Sequence, residues 1–203
     1  MMSAGGALAR APVRALLALA ACGILAQPDD AKAGPEVFRI EPGESRAEFT
    51  VNHFWVTTLH GRFVRAHGTI VLDSEGRNGS IDFAIDADSV DTGWSVRDDF
   101  IRSELMFDVS RFPEVRFRST QLVFDRTGLI GASGDLTMHN VTRPVAVKVE
   151  RMDCRHETAT ADRCGVAVIS TVKRSDFGMS FALPFVGDDI DLAFQITARR
   201  VAP

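Results

Sequence analysis

Few side chains in this 203-residue sequence could do chemistry, and they are scattered. His53, His60 and His67 recur every seven residues. On a β-strand, odd spacing sends successive members to opposite faces, so one strand cannot converge them on a metal ion, and no metal site is expected. Asp188, Asp189 and Asp191 cluster, but they fall in a turn and on the polar side of the strand that follows, where carboxylates are solvated. No nucleophile elbow, zinc signature or phosphate-binding loop is present,. The three cysteines divide two and one. Cys154 and Cys164 flank a polar stretch, 155–163, with apolar residues on either side that read as two strands. They are expected at the facing ends of a hairpin, joined as a disulfide in an oxidising compartment, with two free thiols as the alternative.

The elements that must position these groups are strands. Residues 81–86 (IDFAID), 145–150 (VAVKVE) and 190–196 (IDLAFQI) are apolar at every second place. That period gives a strand one wet and one apolar face, as antiparallel sheets require. Turn signals at 41–43, 73–79, 125–128 and 186–189 punctuate the series,. Strands are expected at 36–40, 45–56, 60–72, 80–88, 114–124, 129–139, 144–152, 165–173 and 189–199. Hairpin-linked strands in this number make a closed barrel or a sandwich. One segment breaks the rhythm: Val96, Phe100, Ile101, Leu105 and Met106 recur at helical spacing between Asp91 and Phe107. An inserted amphipathic helix is expected there, with Ser95 as its cap.

The amino terminus has the parts of a secretory signal: Arg10 and Arg14, an apolar run 15–26, and Ala31-Lys32-Ala33 before the cut,. The run is too short to cross a bilayer, which takes about 20 residues. Residues 1–33 are therefore expected to be removed, leaving one domain, 34–203, outside the cytoplasm. A second reading takes Leu19-Ala20-Ala21-Cys22 as a lipobox that would leave Cys22 as a lipid anchor. A net charge of −4 argues against nucleic acid, which favours a basic face.

A set of segments stands outside this scaffold logic. In order they are a strand ending in His53, Gly61-Arg62-Phe63, Ser89-Val90-Asp91-Thr92, Arg97-Asp98 and a Phe112-Pro113 segment running to Phe117. Gly134-Asp135-Leu136-Thr137, Val141-Thr142-Arg143-Pro144-Val145 and Ser175-Asp176-Phe177-Gly178-Met179 follow. In this order and spacing they resemble the YceI-like family of periplasmic polyisoprenoid-binding proteins, over about residues 38–200. The resemblance implies an all-β fold, a lipocalin-like antiparallel barrel of about eight strands with one inserted helix. It implies an apolar tunnel for a long isoprenoid chain, a quinone tail or polyprenyl phosphate, and no further cofactor.

Period two then names the inward residues as Phe49, Val51, His53, Phe63, Phe83, Ile85, Phe117, Phe194 and Ile196. Arg97, Arg143 and Arg174 are the candidates for meeting a headgroup at the mouth. Phe100 stands where many family members carry histidine, which would favour a less charged headgroup. A non-enzymatic carrier is the reading these residues give. A lipid-modifying enzyme in the same barrel, and an assembly or stress-response module with a solid core, are the alternatives. Self-association as a homodimer and transient contact with a membrane stay open beside the lipid as partners.

Overall fold

The computed structural model describes residues 34–73, 77–158 and 161–201; the expected signal and Cys22 lie outside them. Eleven strands and one α-helix follow one another: β1 (Glu36–Ile40), β2 (Arg46–His53), β3 (Thr57–Phe63), β4 (Ala66–Leu72), β5 (Gly79–Asp86), β6 (Val90–Asp91), α1 (Ser95–Arg102), β7 (Glu114–Phe124), β8 (Leu129–Met138), β9 (Val141–Thr158), β10 (Ala161–Lys173) and β11 (Val186–Arg200). Short 3₁₀ turns occupy Ala87–Ser89 and Arg174–Phe177.

All pairings are antiparallel, and six of the short strands are halves of longer ones. Along one edge of β11, Phe38 to Ile40 of β1 face Arg200 to Ala198. Along the same edge Arg46 to His53 of β2 face Gln195 to Val186. In the same way β3 pairs with β2 and β4 with β1, while β5 pairs with β4 and β6 with β3. Three interrupted staves and the five strands β7 to β11 thus close an eight-stranded up-and-down barrel. A barrel of this size is about wide enough to be filled by side chains or to hold one small ligand.

The three interruptions are adjacent, and buried hydroxyls take over the lost ladder bonds. Ser45 Oγ exchanges bonds with Thr197, accepting from its N–H at 3.1 Å and donating to its carbonyl at 3.3 Å. Ser89 Oγ accepts from Arg65 N at 3.2 Å, and Val64 N donates to the Ser89 carbonyl at 3.2 Å. The continuous strand expected over 60–72 is therefore two strands bent at Val64-Arg65, a break that no Gly or Pro announces. His53, His60 and His67 end up on β2, β3 and β4.

Three further expectations are corrected. The helix is shorter than the span from Asp91 to Phe107, and Ser95 is its first residue rather than its cap. The Asp98 carboxylate, itself buried, turns back to accept from the N–H and hydroxyl of Thr92 at 2.9 and 2.5 Å. That ties the helix to the end of β6 and leaves Val96 and Leu105 exposed. Strand β11 begins at Val186, where a turn was expected. The β9–β10 hairpin runs on past its cysteines: Cys154 and Cys164 are direct cross-strand partners inside it, joined as a disulfide.

Inside, alternation holds on strand after strand. Ala47, Phe49 and Val51, Phe83 and Ile85, Val115 and Phe117, Leu136 and Met138, and Val166 and Val168 are buried. Apart from the buried Ala84, the intervening residues lie on the outer face, where Arg116 clasps Asp82 through two bonds of 2.7 Å between β7 and β5.

Candidate functional site: an apolar cavity under an aromatic rim

The turns at one end of the barrel are 54–56, 139–140, the excursion 92–113 that carries α1, and the segment 174–185. Beneath them lies a cavity of about 310 Å³, at the lower end of the range for ligand pockets, about 300–1,000 Å³. Every stave except β9 supplies part of its wall. Of the residues expected inside, Phe49, Val51, His53, Phe63, Phe83, Ile85, Phe117 and Phe194 line it, with Arg97, Phe100 and Arg174 at the same cavity. Two expected residues do not. Ile196 points inward but borders a separate apolar void of about 60 Å³ at the far end. Arg143 is exposed, its Nε donating to the Asp176 carbonyl at 3.1 Å. It lies outside the wall because β9 diverges from β10 at this end: their pairing stops at Lys148 and Ile169.

Aromatic rings separate the two spaces. Phe83 and Phe194 meet edge to face at 5.5 Å. The next inward residues on their strands, Ile81 and Ile196, already belong to the far void. Two glycines make room for rings. A Cβ on Gly61 would stand 2.2 Å from Phe49 Cζ, and one on Gly134 would stand 2.8 Å from Phe117 Cζ. The motif glycines of the G-x-F and G-x-L-T segments therefore have a packing reason. Phe100 of α1 and Phe181 of the 178–185 segment meet at 4.9 Å over the cavity, joining the two excursions into a cap.

Sequence reading missed several wall residues. Val115 shares its alternating row with Phe117, Ile190 and Leu192 share theirs with Phe194, and Leu136 and Met138 alternate in the same way on β8, so period two could have named them. Met106, Phe107, Met179 and Phe181 come from irregular segments, where no period exists to read.

Beside the His53 imidazole, two guanidiniums stand at the cavity, with different duties. Arg174 is buried, and its Nε, Nη1 and Nη2 donate to the carbonyls of Gly187, Met179 and Val186 at 2.9, 2.7 and 2.9 Å. Burial pulls its pKa below the usual arginine value, against the pull of the Asp188 charge. Burial would push the Asp188 carboxyl up, but the Ser175 hydroxyl and N–H bonds and the charges of Lys173 and Arg174 outweigh it and hold the carboxyl below its ordinary value. Arg97 donates from Nε and Nη2 to the hydroxyl and carbonyl of Thr92, both at 2.8 Å, and lies over the Trp94 ring. Among the described residues neither arginine has a carboxylate within ion-pair distance.

Among the described residues one His/Asp/Glu group is close enough to share an ion, and it sits on the outer wall: His67, Asp86 and Glu114. Its carboxylates are already engaged, Asp86 by Arg65 at 2.7 Å and Glu114 by Arg116 at 3.6 Å. The group is accounted for as part of a surface ion-pair cluster.

An eight-stranded antiparallel barrel with a capped apolar cavity at one end defines a lipocalin-like binding scaffold. A model of the YceI-like domain matches residues 38–198, and the chain belongs to the YceI-like family. A UPF0312 protein of Pectobacterium atrosepticum is 28% identical over 188 residues, covering 92% of this chain and 97% of its own. A UPF0312 protein of Vibrio campbellii is 27% identical over 175 residues, covering 85% and 90%. Among solved structures, Burkholderia cenocepacia BcnA superposes with a TM-score of 0.65 at 19% identity, covering 78% of this chain and 98% of its own. A polyisoprenoid binding domain from Saccharophagus degradans, implicated in plant cell wall breakdown, gives 0.59 at 17% identity, covering 82% and 98%.

Proposed function

We propose that this protein is an exported, non-enzymatic carrier of a long-chain isoprenoid lipid, with the chain in the capped cavity and the headgroup at Arg97. The observation that carries this reading is the cavity itself: a predominantly apolar wall, built mainly from alternate residues of seven staves, with the Arg97 guanidinium beside it. Membership of the YceI-like family and the fold shared with the Saccharophagus polyisoprenoid binding domain support it. Each methylene taken from water is worth about 0.8 kcal/mol. An isoprenoid chain offers many, against the cost of ordering it. The cystine and the signal-like residues 1–33 fit work outside the cytoplasm. Protein purified without detergent should release a polyprenyl lipid, a quinone or a phosphate, into organic extract read by mass spectrometry. Protein that yields none, and whose melting is unmoved by added polyprenyl lipid, would remove the reading.

A further inference from the structure

At the cavity mouth the β2–β3 hairpin turns through Phe54-Trp55, both with left-handed φ, 50° and 59°. Bulky side chains rarely adopt that conformation, and hairpin turns that need it favour Asn-Gly. Such residues persist where function holds them. Here they place three adjacent apolar side chains in water: Phe54 is 58% exposed, Trp55 73% and Val56 81%. Across the mouth Phe185, 53% exposed, meets both rings, at 6.0 Å from Phe54 and 6.3 Å from Trp55. Phe181, 51% exposed, continues the surface into the cavity, whose wall it also forms.

We infer that this aromatic rim docks in the headgroup region of an anionic phospholipid membrane, so that lipid passes between bilayer and cavity through the Phe100–Phe181 cap. The inference deepens the carrier reading and rests on it for its purpose. Residues 54–59 and 177–187 contain no charged side chain. Part of their backbone is paired locally: Phe54 N donates to Phe185 O at 2.7 Å, Val56 N to His53 O at 3.2 Å and Val186 N to Ala182 O at 2.9 Å. Segments that enter lipid must satisfy their own backbone groups, and tryptophan favours the interface. Protein partners are usually met by a rim of polar side chains, of which these loops offer only Thr57, Thr58 and Ser180. Arg97, at the same mouth and free of any carboxylate partner among the described residues, supplies charge complementary to an anionic headgroup layer.

The test uses the whole mature protein, vesicles of phosphatidylethanolamine with phosphatidylglycerol, and the variant Phe54→Asn with Trp55→Gly. That pair suits the left-handed turn, so the variant should melt no lower than wild type. It should nonetheless partition onto vesicles on the order of tenfold or more weakly, having lost two large apolar side chains. Trp55 emission should shift to the blue on vesicles in a Trp94→Phe background, the chain having two tryptophans. Uptake of polyprenyl lipid delivered from cyclodextrin should match wild type. Equal vesicle binding by variant and wild type overturns the inference. So does a wild-type dimer, seen by light scattering, that the variant dissolves without any vesicle binding. Vesicle docking by a wild type that takes up no lipid from cyclodextrin would sustain the docking and remove the carrier reading instead.

Discussion

Arg174 shows at the scale of one residue what position in the fold does to a charge. Read from the sequence it is a mouth arginine; in place it is a clamp, three of its donors fixed on the backbone that leads into β11. Asp188 completes the clamp by holding Ser175 at 2.9 and 2.7 Å. Its carboxyl lies below its ordinary pKa in the fold, so the folded state favours the ionised form. The stabilisation is full above the unfolded value, about 3.9, and is lost as pH falls through the lower folded value. Asp188→Asn should cost about 1–2 kcal/mol near neutral pH, the scale of a charge-assisted bond. Denaturant melts should show the gap to wild type closing at the acid end; a gap unchanged from pH 7 to below 3 would mean that the charge has no part. The row Phe49, Val51, His53 was legible because polar neighbours separate its members. The clamp was not, because its acceptors are carbonyls, which carry no sequence signature.

Elements were read well where they are regular: β1 and β7 have the expected ends, and on β7 the alternation put Phe117 on the inward face. Reading anticipated the break between β1 and β2, which Pro42-Gly43 announces, and failed at Val64-Arg65, where the Ser89 hydroxyl that replaces a ladder bond comes from a distant segment and looks like an ordinary turn residue. It also failed at α1, where helical spacing continues past Arg102 although the backbone does not. Hairpin β9–β10 shows the opposite error: its polar tip was taken for a loop, yet pairing extends to Thr158 and Ala161. The cystine therefore crosslinks two strands already in register. In the chain-entropy model a bridge spanning 10 residues contributes roughly 2–3 kcal/mol,. Cys154→Ser with Cys164→Ser should lower stability by about that amount, and a reductant should bring wild type to the same value. Loss of less than about 0.5 kcal/mol would mean that the existing pairing already restrains the unfolded hairpin.

For the molecule as a whole, function depends on a single choice of register. A shift of one residue on any stave would exchange its inner and outer faces, filling the cavity with charge and exposing the phenylalanines. Strand β5 puts the two outcomes side by side. Phe83 faces the cavity against Phe194, while Asp82, next in sequence, faces water and takes Arg116 at 2.7 Å. Phe83→Asp places a carboxylate among apolar side chains, and unpaired burial of that kind is among the most damaging changes to a fold. It should abolish folding or, failing that, lipid retention. Phe83→Leu, which keeps an apolar wall, should fold and carry lipid with altered affinity, so loss of fold in the first variant does not end the test. Asp82→Ala and Arg116→Ala break a half-exposed pair, and such pairs contribute about 1 kcal/mol or less. Both should retain lipid at the wild-type level in extracts read by mass spectrometry. If the outward substitutions stripped the lipid while Phe83→Asp kept both fold and lipid, the ligand would lie on the outer wall, and the apolar cavity would be only a core.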